Sequence, residues 1–459
     1  MLATIIKPFA NCFKIPELKS RIIFTLLVLA ICRIVAWIPV PGLDAGALRA
    51  HFDANPNQMD NSLLGMYNLF TGGALQNCAI GALGIMPYIT ATIIVQLLSA
   101  VVPSLSKLVR EEGGRAKIIQ YGRYLTVLLC LGHGTLMTLG WENPKQIFNG
   151  FAGELIVVDN IWWYRIQTIL VLTTGTMLLM WLGEQITDRG IGNGISLIIT
   201  IGIVSDLPVA GSSLYTMFFP PEGITSNFIF PHAVALVLLL LAVIAGVVAV
   251  TQAQRKIPVQ YAQRAVGRKV YAGGSSFMPL RVNYAGVMPI IFAQAILMFP
   301  SMVFLKLGQV SDVKFFEEIG RMISPGQPAY YFLYALMILF FSYFWVATQF
   351  NELQISDDLK KYGGYIPGVR PGQATSEFLH RAMSRITLAG AVFLTVIAVM
   401  PMILGDLFAI PRTVSQFFGG TSILITVGVM LDTMRQMESH LLMRHYDGFL
   451  KKGRLKGRF

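Results

Sequence analysis

The residues capable of chemistry are few and poorly placed for it. The 459-residue chain holds four cysteines and six histidines. Cys12, Cys32, Cys78 and Cys130 are too few for a disulfide framework, and none has metal-pair spacing. Inside the long apolar stretches the clearest ionisable groups are Arg33 and His133. Glu184, Asp206 and Asp406 fall at the edges of such stretches. A general acid or base needs a positioned partner, and neither Arg33 nor His133 has an evident one. We read both as structural, Arg33 pairing with a polar group or snorkelling, His133 hydrogen-bonding a neighbouring helix. The His-Glu-x-x-His, Gly-x-Ser-x-Gly and Walker signatures are missing. No enzyme activity, cofactor or metal is therefore expected, and energy from a nucleotide must come from a partner. What remains is a set of isoleucines that could form an apolar constriction, and constrictions of this kind stop water and ions by dewetting.

The elements that would position them are membrane spans. Apolar residues make up 54% of the chain and charged residues 13%, against about 25% charged in soluble domains. This excludes a disordered protein, a disulfide scaffold and an ordinary cytosolic enzyme. A span needs about 20 mostly apolar residues. The hydropathy predicts ten, near Ile22–Val40, Cys78–Val102, Tyr124–Leu139, Ile166–Leu182, Ile191–Leu207, Ala233–Val250, Tyr284–Leu305, Tyr330–Ala347, Ile386–Leu404 and Phe417–Leu431. Continuous rather than alternating runs predict helices, not a barrel. The first run begins at about Ile22 with no small-residue cleavage site after it, so no cleavable leader is expected. With the termini inside, the cytoplasmic segments hold 28 of the 36 Lys and Arg and 12 of the 24 acids, about +16, while the outer ones hold 7 and 12, about −5. That asymmetry is the positive-inside bias, and it predicts cytoplasmic termini.

Two pairs of short matches divide the spans into halves. Gly84-Ile85-Met86-Pro87-Tyr88-Ile89 in the second span corresponds to Gly286-Val287-Met288-Pro289-Ile290-Ile291 in the seventh. Gly194-Ile195-Ser196-Leu197-Ile198-Ile199 in the fifth corresponds to Gly420-Thr421-Ser422-Ile423-Leu424-Ile425 in the tenth. Copies of five spans must be inverted, and short Gly-rich spans at matching places in two halves point to the functional axis. Ile89, Ile199, Ile291 and Ile425 occupy the repeat-related positions. Ile85 and Ile195 lie one helical turn from Ile89 and Ile199. Pro87 and Pro289 each remove a helix hydrogen bond and are expected to kink or break their spans. The spans lack midplane carboxylates, which counts against the alternative of a small-solute secondary transporter with inverted repeats.

Five stretches carry a resemblance to a known family. GIMPYITATIIVQLL (Gly84–Leu98), WLGEQITDRGIGNGISLII (Trp181–Ile199), RVNYAGVMPIIFA (Arg281–Ala293), GVRPG (Gly368–Gly372) and FFGGTSILI (Phe417–Ile425) resemble SecY, the channel subunit of the bacterial protein translocase. The resemblance implies an all-α membrane fold of ten helices, two inverted five-helix halves closing like a clamshell around an hourglass pore. It implies a protein-conducting channel that translocates unfolded secretory polypeptides and releases transmembrane segments laterally into lipid. It implies a pore ring of Ile85, Ile89, Ile195, Ile199, Ile291 and Ile425. A plug helix would span Leu63, Leu64, Gly65, Met66, Tyr67, Asn68, Leu69, Phe70 and Thr71, hinged at Gly72 and Gly73. A lateral gate would involve Gln96, Pro87, Pro289 and Gln294.

The basic loops complete what the resemblance implies. Arg255, Lys256, Arg264, Arg268 and Lys269 lie in a loop that has no acid, and Arg370 lies in the next loop. Such a run usually marks orientation or an anionic lipid surface. The resemblance adds docking of SecA ATPase and of the ribosome, whose RNA phosphates attract Lys and Arg. Gln263 stands where some relatives have another basic residue. Further implied partners are SecE, SecG, signal sequences, nascent polypeptides and membrane lipids, with SecDF and YidC as additional candidates. The implied organisation is a cytoplasmic segment 1–21, a first half 22–207 with plug 63–71, an external hinge loop 208–232 and a second half 233–431. Cytoplasmic loops 251–283 and 351–385 belong to the second half, and a basic tail 432–459 ends the chain. The implied location is the bacterial inner membrane.

Overall fold

The structure is a computed structural model. It describes residues 15–54, 63–111, 113–144, 151, 153–219, 228, 230–261, 264–266, 269–271, 274–311, 314–408, 410, 414–415, 417 and 420–452. The chain forms two compact units. One comprises Met1–Ile224, Pro411–Val414 and Val429–Phe459, the other Thr225–Ile410 and Ser415–Gly428.

The first unit contains α1 (Pro16–Val35), α2 (Ala45–Ala54), α3 (Leu63–Thr71), α4 (Met86–Val101), α5 (Pro103–Arg110), α6 (Gly114–Glu142), α7 (Ile161–Arg189), α8 (Gly194–Ser205) and α9 (Leu207–Phe218). Helices α6 and α7 show how the sequence sets a span. Arg123 near the start of α6 pairs with Glu184 near the end of α7 at 2.6 Å, and Glu142 at the end of α6 pairs with Arg165 near the start of α7, also at 2.6 Å. Nineteen helical steps separate Arg123 from Glu142, roughly 28 Å at 1.5 Å per residue. That matches the ~30 Å hydrocarbon core, so the ion pairs bracket the apolar stretch. Between them Thr126, Thr138 and Thr173 return their hydroxyls to the carbonyl four residues back, at 2.7–2.8 Å, and so need no water. Leu26, Leu27, Leu128 and Leu170 point outward, exposed apolar side chains that suit a lipid solvent.

The second unit contains α10 (Phe230–Gln252), α11 (Met288–Ser311), α12 (Lys314–Met322), α13 (Pro328–Gln349), α14 (Glu352–Lys361) and α15 (Gln373–Leu407). Among its described residues it also holds the short strands β1 (Gln254–Tyr261), β2 (Arg264–Val266), β3 (Lys269–Tyr271), β4 (Ser275–Arg281) and β5 (Gly364–Tyr365). Strand β1 is central in the antiparallel order β4-β1-β5, and β2 pairs with β3. A last helix, α16 (Thr421–Lys452), begins in this unit and its later residues belong to the first.

All ten predicted spans fall on helices, with four differences. The second span is not one helix: residues 72–85 are turns, α4 starts at Met86, and α5 follows it at a bend of 103°. Pro87 and Pro289 neither kink nor break a helix. They sit in the first turns of α4 and α11, where the missing N–H has no intrahelical partner to lose. Helix α9 occupies Leu207–Phe218, where the hydropathy predicts an external loop, and α8 and α9 together make one 25-residue apolar stretch. Strands occupy the basic loop, where none is predicted. Among the described residues seven helices are long and apolar enough to cross a membrane, or eight with the bent pair. Helix α1 falls short because it carries Glu17, Lys19, Arg21 and Arg33, and α16 because its apolar part ends near Leu431.

Candidate functional site

Helix α3 has the bounds of the segment assigned as plug. Nine residues cannot cross a bilayer that needs about 20, so the helix must be held by its side chains. Tyr67 is buried, and its hydroxyl donates to the Leu83 carbonyl at 2.8 Å. Burial pushes the Tyr67 phenol well above its ordinary range, so it remains a donor. Asn68 accepts from the Gln76 backbone N–H at 3.0 Å, and its own carbonyl accepts from Gly73 N at 2.9 Å and from the Thr71 hydroxyl at 3.0 Å. Leu69, Phe70 and Thr71 are buried. Gly65 is half-buried, and Leu63, Leu64 and Met66 contribute to the helix backbone. Gly72 and Gly73 follow at φ +63° and +81°, left-handed values that glycine adopts freely.

The groove that receives α3 is made by small residues. A Cβ on Gly202 of α8 would lie 3.4 Å from both Phe70 O and Gly72 N. One on Gly84 would lie 2.9 Å from Thr71 Cγ2. Gly175 of α7 packs on the Ile80 backbone so closely that a Cβ there would lie 2.2 Å from Ile80 O. A small cavity of about 30 Å³ gathers Phe70 and Thr71 of α3 with Ile85, Ile198, Gly202 and Arg33. Arg33 donates from Nη1 to the Gly72 carbonyl at 2.9 Å. The sequence marks this arginine as structural but does not name its partner. Its position in a span was the signal, and the partner lies 39 residues away.

The isoleucines sit at helix starts. Ile85 precedes α4 and Ile89 lies one turn on, both buried. Asn193 caps α8, accepting from Ile195 N at 3.1 Å and Ser196 N at 3.3 Å. Ile195 is half-buried and Ile199 buried. A Cβ on Gly194 would lie 1.9 Å from Gly183 O, so only glycine lets α8 start this close to α7. Within the second unit, buried Ile291 lies in the first turn of α11 and buried Ile425 in the second turn of α16. Gly428 of α16 rests on Val287, where a Cβ would lie 2.2 Å from Cγ1, and so brings those two helix starts together. Gln96 is half-buried in α4. Gln294 is buried in α11, and its Oε1 has no hydrogen-bond partner.

The basic loop is a built platform rather than a floppy connection. Ile257 and Val259 alternate inward on β1, while Arg255 and Lys256 are exposed. Ile257 joins Leu280, Phe350, Ile366, Leu379 and Met383 in one apolar cluster. Arg370 is exposed in the turn between Gly368 and Gly372, which have φ of +83° and +103°. Arg264 and Lys269 belong to the backbones of β2 and β3, and Arg268 lies outside the described residues.

Long apolar helices, most of them able to cross a bilayer, define a polytopic membrane protein. The SecY family model matches residues 79–434. SecY translocase subunits of Chlamydia trachomatis and Thermotoga maritima are 42% and 41% identical, over 97% and 98% of this chain and 98% and 99% of theirs. A solved structure described as a protein conducting channel matches with TM-score 0.62 at 19% identity, over 97% of this chain and 99% of its own. The channel in the canine ribosome-channel complex from the endoplasmic reticulum matches at TM-score 0.59. The chain belongs to the SecY family. It is a non-catalytic, protein-conducting channel subunit that translocates polypeptides across the bacterial inner membrane, within a Sec translocon.

Proposed function

We propose that α3 is the plug of this channel and that Ile85, Ile89, Ile195, Ile199, Ile291 and Ile425 form its pore ring. The observation that carries the reading is the cavity in which Ile85 meets Phe70 and Thr71 of α3 beside Gly202. At rest the plug and the ring seal the path. β-Branched side chains make a narrow, dry constriction and offer a passing chain no specific hydrogen bonds, which suits a substrate of any sequence. A signal sequence enters a lateral gate that includes Pro87, Gln96, Pro289 and Gln294, where its apolar segment meets lipid. It opens the channel only by binding the open state more tightly. Transmembrane segments leave sideways by the same gate. The first half, 22–207, and the second, 233–431, act as the two jaws of a clamshell around the pore, with the external segment 208–232 as their hinge.

Both termini face the cytoplasm, as the basic bias of the loops requires. SecA and the ribosome dock on Arg255, Lys256, Arg264, Arg268, Lys269 and Arg370, and supply the energy. SecE and SecG complete the channel, with SecDF and YidC as later partners. The test is to replace Ile85, Ile89 and Ile425 by Gly or Asn and to measure ion leak and the export of precursors with defective signal sequences. Leak and relaxed stringency are expected. Normal tightness and stringency at normal expression would overturn the ring. Reconstitution with SecE, SecG, SecA, ATP and a secretory precursor should protect the precursor from protease.

A further inference from the structure

The arginine of the first span is not used by the channel reading. Charge within a span is expensive and is kept where it has a task. Arg33 occupies the last turn of α1, and its Nη1 meets the carbonyl of Gly72, the first hinge residue after α3. The hinge folds back on α3, with Gly72 N bonded to Leu69 O at 3.2 Å and Gly73 N to Asn68 O at 2.9 Å. From the other side the hinge touches α8: a Cβ on Gly72 would lie 2.7 Å from Gly202 Cα and 2.3 Å from Arg33 Nη1. The hinge backbone is thus held between a guanidinium and a glycine face, with no room for a methyl group. Asp206, the C-cap residue of α8, lies one turn beyond Gly202 on that helix.

We propose that Arg33 is a latch on the plug hinge: a positioning residue whose charge-assisted bond to the Gly72 carbonyl keeps α3 seated in the resting channel. The inference rests on the reading of α3 as plug. The acceptor belongs to the hinge itself, so α3 cannot leave its groove while the bond persists. Charge-assisted bonds are about twice as strong as neutral ones. The planar guanidinium presents its donors in a fixed fork, whereas a lysine would bring a flexible point charge. The latch therefore sets how much binding energy a translocating chain must supply before the seal opens, and it does so from outside the ring.

The experiment uses the full chain with its partner subunits, reconstituted in vesicles, and reads ion efflux without precursor. Arg33→Gln should raise resting leak by roughly tenfold or more, the factor expected for loss of a charged hydrogen bond. Arg33→Lys should raise it less. The same substitutions are then made in a chain lacking residues 63–71. There Arg33→Gln should add no leak, because the latch has nothing to hold. If deletion of 63–71 leaves the channel tight, the plug reading fails. If the deletion leaks but Arg33→Gln and Arg33→Lys are both tight, the latch is overturned. If Arg33→Gln adds the same factor with and without residues 63–71, Arg33 supports the span generally and the latch is again overturned. Should Arg33→Gln fail to accumulate, Arg33→Lys carries the same comparison.

Discussion

Gly72 and Gly73 are adjacent and both left-handed, yet alanine should affect them differently. At Gly73, with φ +81°, a new Cβ meets nothing within 4 Å. Only the backbone resists there, by about 1–2 kcal/mol for a left-handed L-residue. If that strain is relieved once α3 leaves its groove, it is borne by the closed state alone. Resting leak then rises roughly fivefold to thirtyfold, at 1.4 kcal/mol per tenfold. At Gly72, with φ +63°, the same backbone strain is joined by a Cβ 2.7 Å from the Gly202 Cα, a backbone atom that cannot swing aside. The Arg33 Nη1 at 2.3 Å can move, but only by giving up its bond to the Gly72 carbonyl. Overpacking of this kind adds about 1–3 kcal/mol. Gly72→Ala should therefore leak at least about fivefold more than Gly73→Ala. Ion efflux from vesicles holding each variant, compared with a chain lacking residues 63–71, measures it. Equal leak from the two, or a leakier Gly73→Ala, would refute the reasoning, as would two tight variants beside a leaky deletion.

Other outcomes follow from single contacts. Tyr67→Phe strips the Leu83 carbonyl of a buried donor, at about 1–3 kcal/mol, and should raise resting leak several-fold. Because burial raises the Tyr67 phenol above its free value, its stabilisation is complete below about pH 10 and is lost only at more alkaline pH. Leak of the parent channel should accordingly show no Tyr67 titration between pH 7 and about 10, and a leak step in that window would contradict the burial. Gly175→Ala drives a Cβ into the Ile80 carbonyl and should lower the thermal midpoint in detergent, whereas Gly132→Ala, in open space on α6, should leave it unchanged or raise it. Replacing Arg255 or Lys256 by Gln should reduce the salt dependence of ribosome binding by about one charge each. Titrations at several salt concentrations read that slope, and neither change should alter resting leak.

Much of this was legible in the sequence because membrane spans announce themselves by hydropathy, and because the adjacent glycines after Thr71 mark a turn. The bounds of α3 came with the family resemblance, and the left-handed φ of Gly72 and Gly73 agrees with the freedom glycine has at a hinge. Pro87 was misread because hydropathy runs unbroken from Cys78 to Val102, while the backbone turns until Met86 and uses the proline to begin the helix. The strands were missed because six basic residues hide the inward pair Ile257 and Val259. The partner of Arg33 could not be read at all, since a side chain reaching a backbone carbonyl leaves no complementary residue type to find.

Helix α15 runs 35 residues from Gln373 to Leu407, about 52 Å at 1.5 Å per residue, well beyond a ~30 Å hydrocarbon core. Leu379, Ala382 and Met383 in its early turns share the apolar cluster that anchors β1 and β4. The basic platform and the part of α15 before Pro401 are therefore one connected piece. On the docking proposed above, a motor or ribosome that pushes or tilts this platform works a lever whose far arm lies in the bilayer. Mechanical load can reach the spans without any change in the loop's own fold.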